Sequence, residues 1–183
     1  MPTGAGEEKA VDTGRIQPEV VEWLPDNKHI LLSGSESDQP PKTYLLDPAS
    51  GSTMPVTLAG VRASGVSPDG QFVTIVNKGR LILHSLNGRN DVEVGSLETG
   101  ISIIRWSDDG RHLYLQQTPS DRRSTTIFRL DIRTRTKEIW RQLKLPDATA
   151  LFLGSVRMSA DGKSYAFSFQ RDLATLYLVK GVK

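Results

Sequence analysis

Four aspartates, Asp26, Asp69, Asp109 and Asp161, recur 43, 40 and 52 residues apart. Carboxylates at related positions are the residues that general acid–base or metal chemistry would use. Their neighbours point elsewhere. Each is followed by a residue that tolerates a left-handed backbone, namely Asn27, Gly70, Gly110 and Gly162, and three are preceded at two residues by Ser67, Ser107 and Ser159. An aspartate in that setting accepts backbone N–H groups and closes a tight turn. The four aspartates and three glycines are therefore read as structural turn residues, not as catalytic acids. The three histidines, His29, His84 and His112, are too scattered to form a metal site, and His29 and His112 share one repeat position that reads as exposed surface. Glu36 with Asp38 and Asp108 with Asp109 read as solvated loop charges. The chain has no cysteine, which removes thiolate nucleophiles and Cys-based zinc sites. Gly-x-Ser-x-Gly is absent, and its nearest approach, residues 65–70, is one of the repeat turns. Phosphate loops, dinucleotide fingerprints and His-Glu-x-x-His are absent too. No catalytic residue, cofactor or metal is expected, and the chain is read as non-enzymatic.

The elements that carry these turns are strands. Segments 22–32, 65–75, 105–115 and 157–167 superimpose on one another. Three residues before the aspartate each has a large apolar residue, Trp23, Val66, Trp106 or Met158, expected to point inward. After the turn comes a period of two, Ile30/Leu32, Val73/Ile75, Leu113/Leu115 and Tyr165/Phe167. A third strand is expected at 44–47, 81–86, 127–131 and 176–179, and a fourth at 54–58, 91–95 and 137–143. Segment 6–14 matches the fourth-strand slot. Four short antiparallel strands in about 40 residues make a propeller blade. The chain thus reads as one all-β domain over 1–183 with four blade-equivalents, 15–58, 59–97, 98–144 and 145–183, the last completed by strand 6–14.

Composition bounds the partners. Net charge is +2, yet residues 1–100 carry −5 and residues 101–183 carry +7. The densest basic stretch, from Arg122 to Lys144, alternates with apolar residues as amphipathic strands do. Few aromatics interleave it, which argues against a nucleic-acid groove. No apolar run approaches the ~20 residues that span a bilayer as a helix.

The copies at 66–73 and 158–165 resemble the core of TolB-type β-propeller repeats, relatives of the WD repeats. The end, 164–183, resembles the C-terminus of bacterial receptor-like proteins in which such a propeller follows a serine/threonine kinase domain. The resemblance implies the fold and an extracytoplasmic (periplasmic) sensor module of a signalling protein. Kinase activity is not carried over, because no kinase motif is present. Similar propellers also gate substrate in prolyl-oligopeptidase-like serine peptidases, which is the alternative reading.

Positions common to all repeats hold a scaffold, and variable ones carry recognition. Variation concentrates in the loops between second and third strands and between blades, which share one face of a propeller. A protein or small ligand is expected there. The candidate contact residues are Glu36 and Asp38, Lys78 and Arg80, Asp121, Arg122 and Arg123, Arg171, and Phe152 in the segment before the last blade. Related propellers have more than four blades, so the expectation is a piece of a longer chain or a homodimer forming an eight-bladed ring, with a monomeric four-bladed ring as the other closure.

Overall fold

The computed structural model describes residues 10–147, 149–159 and 161–171. Among them are fourteen strands and no helix. Blade A comprises β1 (Ile16–Trp23), β2 (Ile30–Glu36), β3 (Lys42–Leu46) and β4 (Thr53–Pro55), and blade B comprises β5 (Ala63–Val66), β6 (Phe72–Asn77), β7 (Arg80–Ser85) and β8 (Val92–Ser96). Blade C comprises β9 (Ile101–Trp106), β10 (His112–Gln117), β11 (Ser124–Asp131) and β12 (Lys137–Lys144). The described part of blade D is β13 (Ala150–Met158) and β14 (Tyr165–Arg171). Blades A, B and C are four-stranded sheets with neighbouring strands consecutive in sequence, and β13 pairs with β14. All the pairings are antiparallel. The third strand expected at 176–179 lies outside the described residues.

The hairpins form where the sequence provides positive φ. Asn27, Gly70, Gly110 and Gly162 take φ of 54°, 69°, 67° and 67°. Between β6 and β7 the two loop residues Lys78 and Gly79 take φ of 49° and 78°, the mirror-image turn that matches strand twist.

Packing between blades follows the period of two. Val66, Val73 and Ile75 of blade B pack with Leu24 and Leu31 of blade A. Trp106, Leu113 and Leu115 of blade C pack with Leu81, Leu83 and Val94 of blade B. Met158 packs with Tyr114, Ile127 and Leu143 of blade C, and Tyr165 and Phe167 lie against the same cluster. Each blade therefore turns the same repeat column toward the blade before it. Prolines add a second contact at two of the junctions. A Cβ on Gly70 would lie 3.8 Å from Pro25 Cδ, and one on Gly110 would lie 3.7 Å from Pro68 Cδ.

Trp23 departs from the expectation of an inward side chain. It is 57% exposed, whereas Val66, Trp106 and Met158 are at most 8% exposed. The reason is positional: its column faces the preceding blade, and no described blade precedes A. That leading face gathers Ile16, Leu32, Tyr44 and Leu46, with Val11 and Ile30 against them. The expected strand 6–14 is also not seen over its described part. Residues 10–14 form no strand. The Gly14 N–H bonds Asp12 Oδ1 at 2.8 Å and the Ile16 N–H bonds the Thr13 carbonyl at 3.2 Å, so this segment turns into β1. Residues 6–9 lie outside the described set.

Candidate functional site

The two ends of the strands differ in construction. At one end lie the turns that carry the anchor aspartates. Ser67, Ser107 and Ser159 each donate a hydroxyl to the aspartate two residues on, at 2.5, 2.5 and 2.6 Å. Each hydroxyl also accepts a backbone N–H at 2.9 Å, from Phe72, His112 and Ser164. The aspartates further accept the N–H of Gln71, Arg111 and Lys163 at 3.0 Å. Blade A has no such serine. There Asp26 accepts the N–H of Lys28 and His29 and sits 2.6 Å from His29 Nδ1.

These bonds favour the ionised form of several of the carboxylates. The His29 ring, and after it the two N–H groups, hold Asp26 down at about 2. The Ser107 and Ser159 hydroxyls lower Asp109 and Asp161. The Thr134 N–H, together with the Arg111 guanidinium, holds Asp131 far below the usual carboxylate range. Groups that stay charged throughout the physiological range accept hydrogen bonds and do not deliver protons. Ser107, His112 and Asp109 have the residue types of a hydrolytic triad, but the hydroxyl meets the His112 backbone, through its N–H and its carbonyl at 3.2 Å. A base must reach the nucleophile through its ring. His112 is not the exposed surface residue expected from sequence: its side chain is only 18% exposed, 3.8 Å from Asp109 and from Asp131. His84 lies 2.9 Å from Asp91. Among the described residues no group of three or more His, Asp or Glu gathers as a metal site.

The opposite end carries the irregular loops. Glu36 closes β2 and accepts the Tyr44 hydroxyl at 2.7 Å. Burial first, and the Glu36 carboxylate second, push that phenol up to about 12. Asp38 sits at the loop tip with φ of 60°. Arg80 extends toward Glu93 at 3.4 Å, both well exposed. Asp121, Arg122 and Arg123 occupy the loop from β10 to β11, where the Arg123 N–H bonds Asp121 at 3.1 Å. Arg171 ends β14, paired with Asp147 and 5.6 Å from the Phe169 ring. Across blades the structure brings one pair of these candidates together among the described residues, Arg122 and Phe152, with the guanidinium 4.4 Å over the ring. Glu36 and Asp38 stay on blade A, Lys78 and Arg80 on blade B. Leu151 and Leu153, beside Phe152 on β13, would share a face of a regular strand, but the bulge between Ala150 and Phe152 separates them: Leu151 is 42% exposed and Leu153 is 1% exposed.

Two hollows lie along the inner strands. The wider, about 720 Å³, is walled by β1, β5, β9 and β13, including Glu22, Arg105, Asp108 and Arg157. The narrower, about 270 Å³, lies between blades C and D and includes Arg122 and Arg157. Arg157 was not singled out from sequence. The signal was present: its repeat partners are Glu22, Gly65 and Arg105, all lining the wider hollow.

No protein-family model matches the chain, and no curated protein matches it. Solved structures do. TolB from Acinetobacter baumannii is 23% identical with a TM-score of 0.63, over 90% of this chain and 41% of that one. A TolB from Agrobacterium tumefaciens is 20% identical with a TM-score of 0.57, over 83% and 53%. A prolyl endopeptidase structure, studied for inter-domain dynamics in catalysis, is 19% identical with a TM-score of 0.55, over 87% and 27%. The chain thus spans about half or less of the length of these proteins. At these identities the likeness shows the fold, a TolB-like β-propeller.

Proposed function

We propose that the chain is a non-enzymatic β-propeller binding module, the extracytoplasmic sensor part of a bacterial signalling protein, which receives a protein or small ligand at its loop end. The supporting observation is the division between the two ends. The turn end is bonded alike in three blades, each aspartate taking a serine hydroxyl and a backbone N–H. The loop end differs from blade to blade in length, charge and contacts, as a surface specialised for recognition does. The extracytoplasmic placement and the signalling role rest on the resemblance of the repeats and of 164–183 to receptor-like proteins.

Site-specific photo-crosslinking in the native cells tests this reading. A crosslinker at Asp38 or Asp121 should give discrete adducts, and one at Arg89 or Lys163 should not. Equal labelling from both ends, or labelling from the turn end alone, overturns it. The second reading, a substrate-gating propeller of a serine peptidase, draws on the likeness to prolyl endopeptidase. A hydrolase domain encoded in the same gene would favour it, and a kinase domain would favour the first.

A further inference from the structure

We propose that the crevice between blades C and D binds a small organic acid, its carboxylate held by Arg122 and Arg157 and its apolar part laid against β9 and β13. The proposal rests on the binding-module reading and names the ligand class for one place on it. The crevice measures about 270 Å³, just below the ~300 Å³ at which pockets begin to hold drug-sized ligands. Two arginines and no carboxylate belong to its described wall. Four arginines outside the crevice are met by carboxylates of the chain: Arg62 by Glu19, Arg111 by Asp131, Arg129 by Glu138 and Arg171 by Asp147. Among the described residues neither crevice arginine has an ion-pair partner. The Arg157 guanidinium has neither a hydrogen-bond nor an ion-pair partner among the described residues.

Arg122 is fixed in place. Its ring-facing guanidinium stacks on Phe152, and one terminal amine donates to the Leu153 carbonyl at 3.2 Å. The Leu153 N–H returns a bond to the Arg122 carbonyl at 2.7 Å. A loop of blade C is thereby bolted to β13 of blade D, and the rest of its fork stays available. A guanidinium whose position is set in advance loses little freedom when an oxyanion arrives. Ser102 and Ser155, exposed on the same wall, add hydroxyls without partners among the described residues. Ile103, Ile104 and Val156 supply the apolar side. Two charged donors beside aliphatic surface fit a carboxylate on a short hydrocarbon body better than a bare ion.

The probes are hexanoate, hexanol and inorganic phosphate, titrated calorimetrically into the whole chain. Hexanoate should saturate, and Arg157→Gln should weaken it by about tenfold or more, as loss of a charge-assisted bond does. Lys28→Gln, at the turn end, should leave it unchanged. Arg157→Lys keeps charge and bulk but not the fork, and should bind hexanoate several-fold more weakly than wild type, a readout that stands even if Arg157→Gln does not fold. The proposal is overturned if hexanoate does not saturate, if hexanol binds as well, if Arg157→Gln and Arg157→Lys bind like wild type, or if phosphate binds as tightly and marks an adventitious ion only. Failure with loop-end crosslinking intact removes the acid site and leaves the module reading standing. Saturable hexanoate with labelling from both ends does the reverse.

Discussion

Asp69 shows how a residue that looks reactive is consumed by its own turn. Its carboxylate takes the Ser67 hydroxyl and the Gln71 N–H, so Asp69→Ala should lower stability by about 1 kcal/mol and leave any ligand affinity of the folded protein unchanged, which chemical denaturation and calorimetry together would show. The Asp26 carboxylate makes a pH prediction. It is held near 2 by His29 and two N–H groups, against about 3.9 in an unfolded chain. The folded value is the lower, so its contribution is full above about pH 4 and is lost as pH falls toward about 2. Asp26→Asn should remove that part of the acid sensitivity, read as the change in urea midpoint between neutral and acid pH. Glycines separate by what surrounds them. A Cβ on Gly34 would stand 2.3 Å from the Gln17 backbone oxygen, whereas on Gly154 it would meet the tip of the Ser168 side chain at 2.2 Å. The serine can rotate away and the backbone cannot. Gly34→Ala should therefore cost several-fold more than Gly154→Ala in the same unfolding experiment.

A strand in this fold is defined by the neighbour its column faces, which gives the comparison of Trp23 with Trp106. Both occupy one repeat position. Trp106→Ala should cost ~3–5 kcal/mol, the range for a buried aromatic. In the single chain, at low protein concentration, Trp23→Ala should stay within about 0.5 kcal/mol, as exposed changes do. Equal losses by chemical denaturation would contradict the packing described. The same comparison separates what the sequence discloses from what it withholds. Period-two alternation and Asp-Gly turns are local, so strands, hairpins and blades were legible from 22–32 and its copies. Burial of Trp23 was not, because it depends on a blade before the first. The imidazole of His112 was misread as exposed since Phe72 and Ser164, its repeat partners, say nothing of Asp131 beneath it. The Arg122–Phe152 contact joins two blades, and Arg157 lines the same crevice as Arg122, to which β9 and β10 also contribute. Nothing in spacing along the chain reports such a meeting.

Over the whole molecule, three junctions carry apolar clusters, A with B, B with C and C with D. Among the described residues none joins D back to A. The leading face of blade A is left with Val21 and Trp23 at 64% and 57% exposed. Such surface tends to find cover. With −5 on the first hundred residues and +7 on the rest, a head-to-tail pair of chains is the assembly we expect. Light scattering should give twice 20.2 kDa at high protein concentration, falling toward the single-chain mass with added salt or with Trp23→Glu. A mass fixed at 20.2 kDa at every concentration would reject pairing. The uneven treatment of tryptophans has an optical side. The three indoles sit in three media: Trp23 in water, Trp106 sealed at 4% exposure, and Trp140 edge-on between Tyr114 and Tyr165. Red-edge emission and iodide quenching belong mainly to Trp23, so the intrinsic fluorescence of the chain, without any dye, is a gauge of whether its leading face is open or covered.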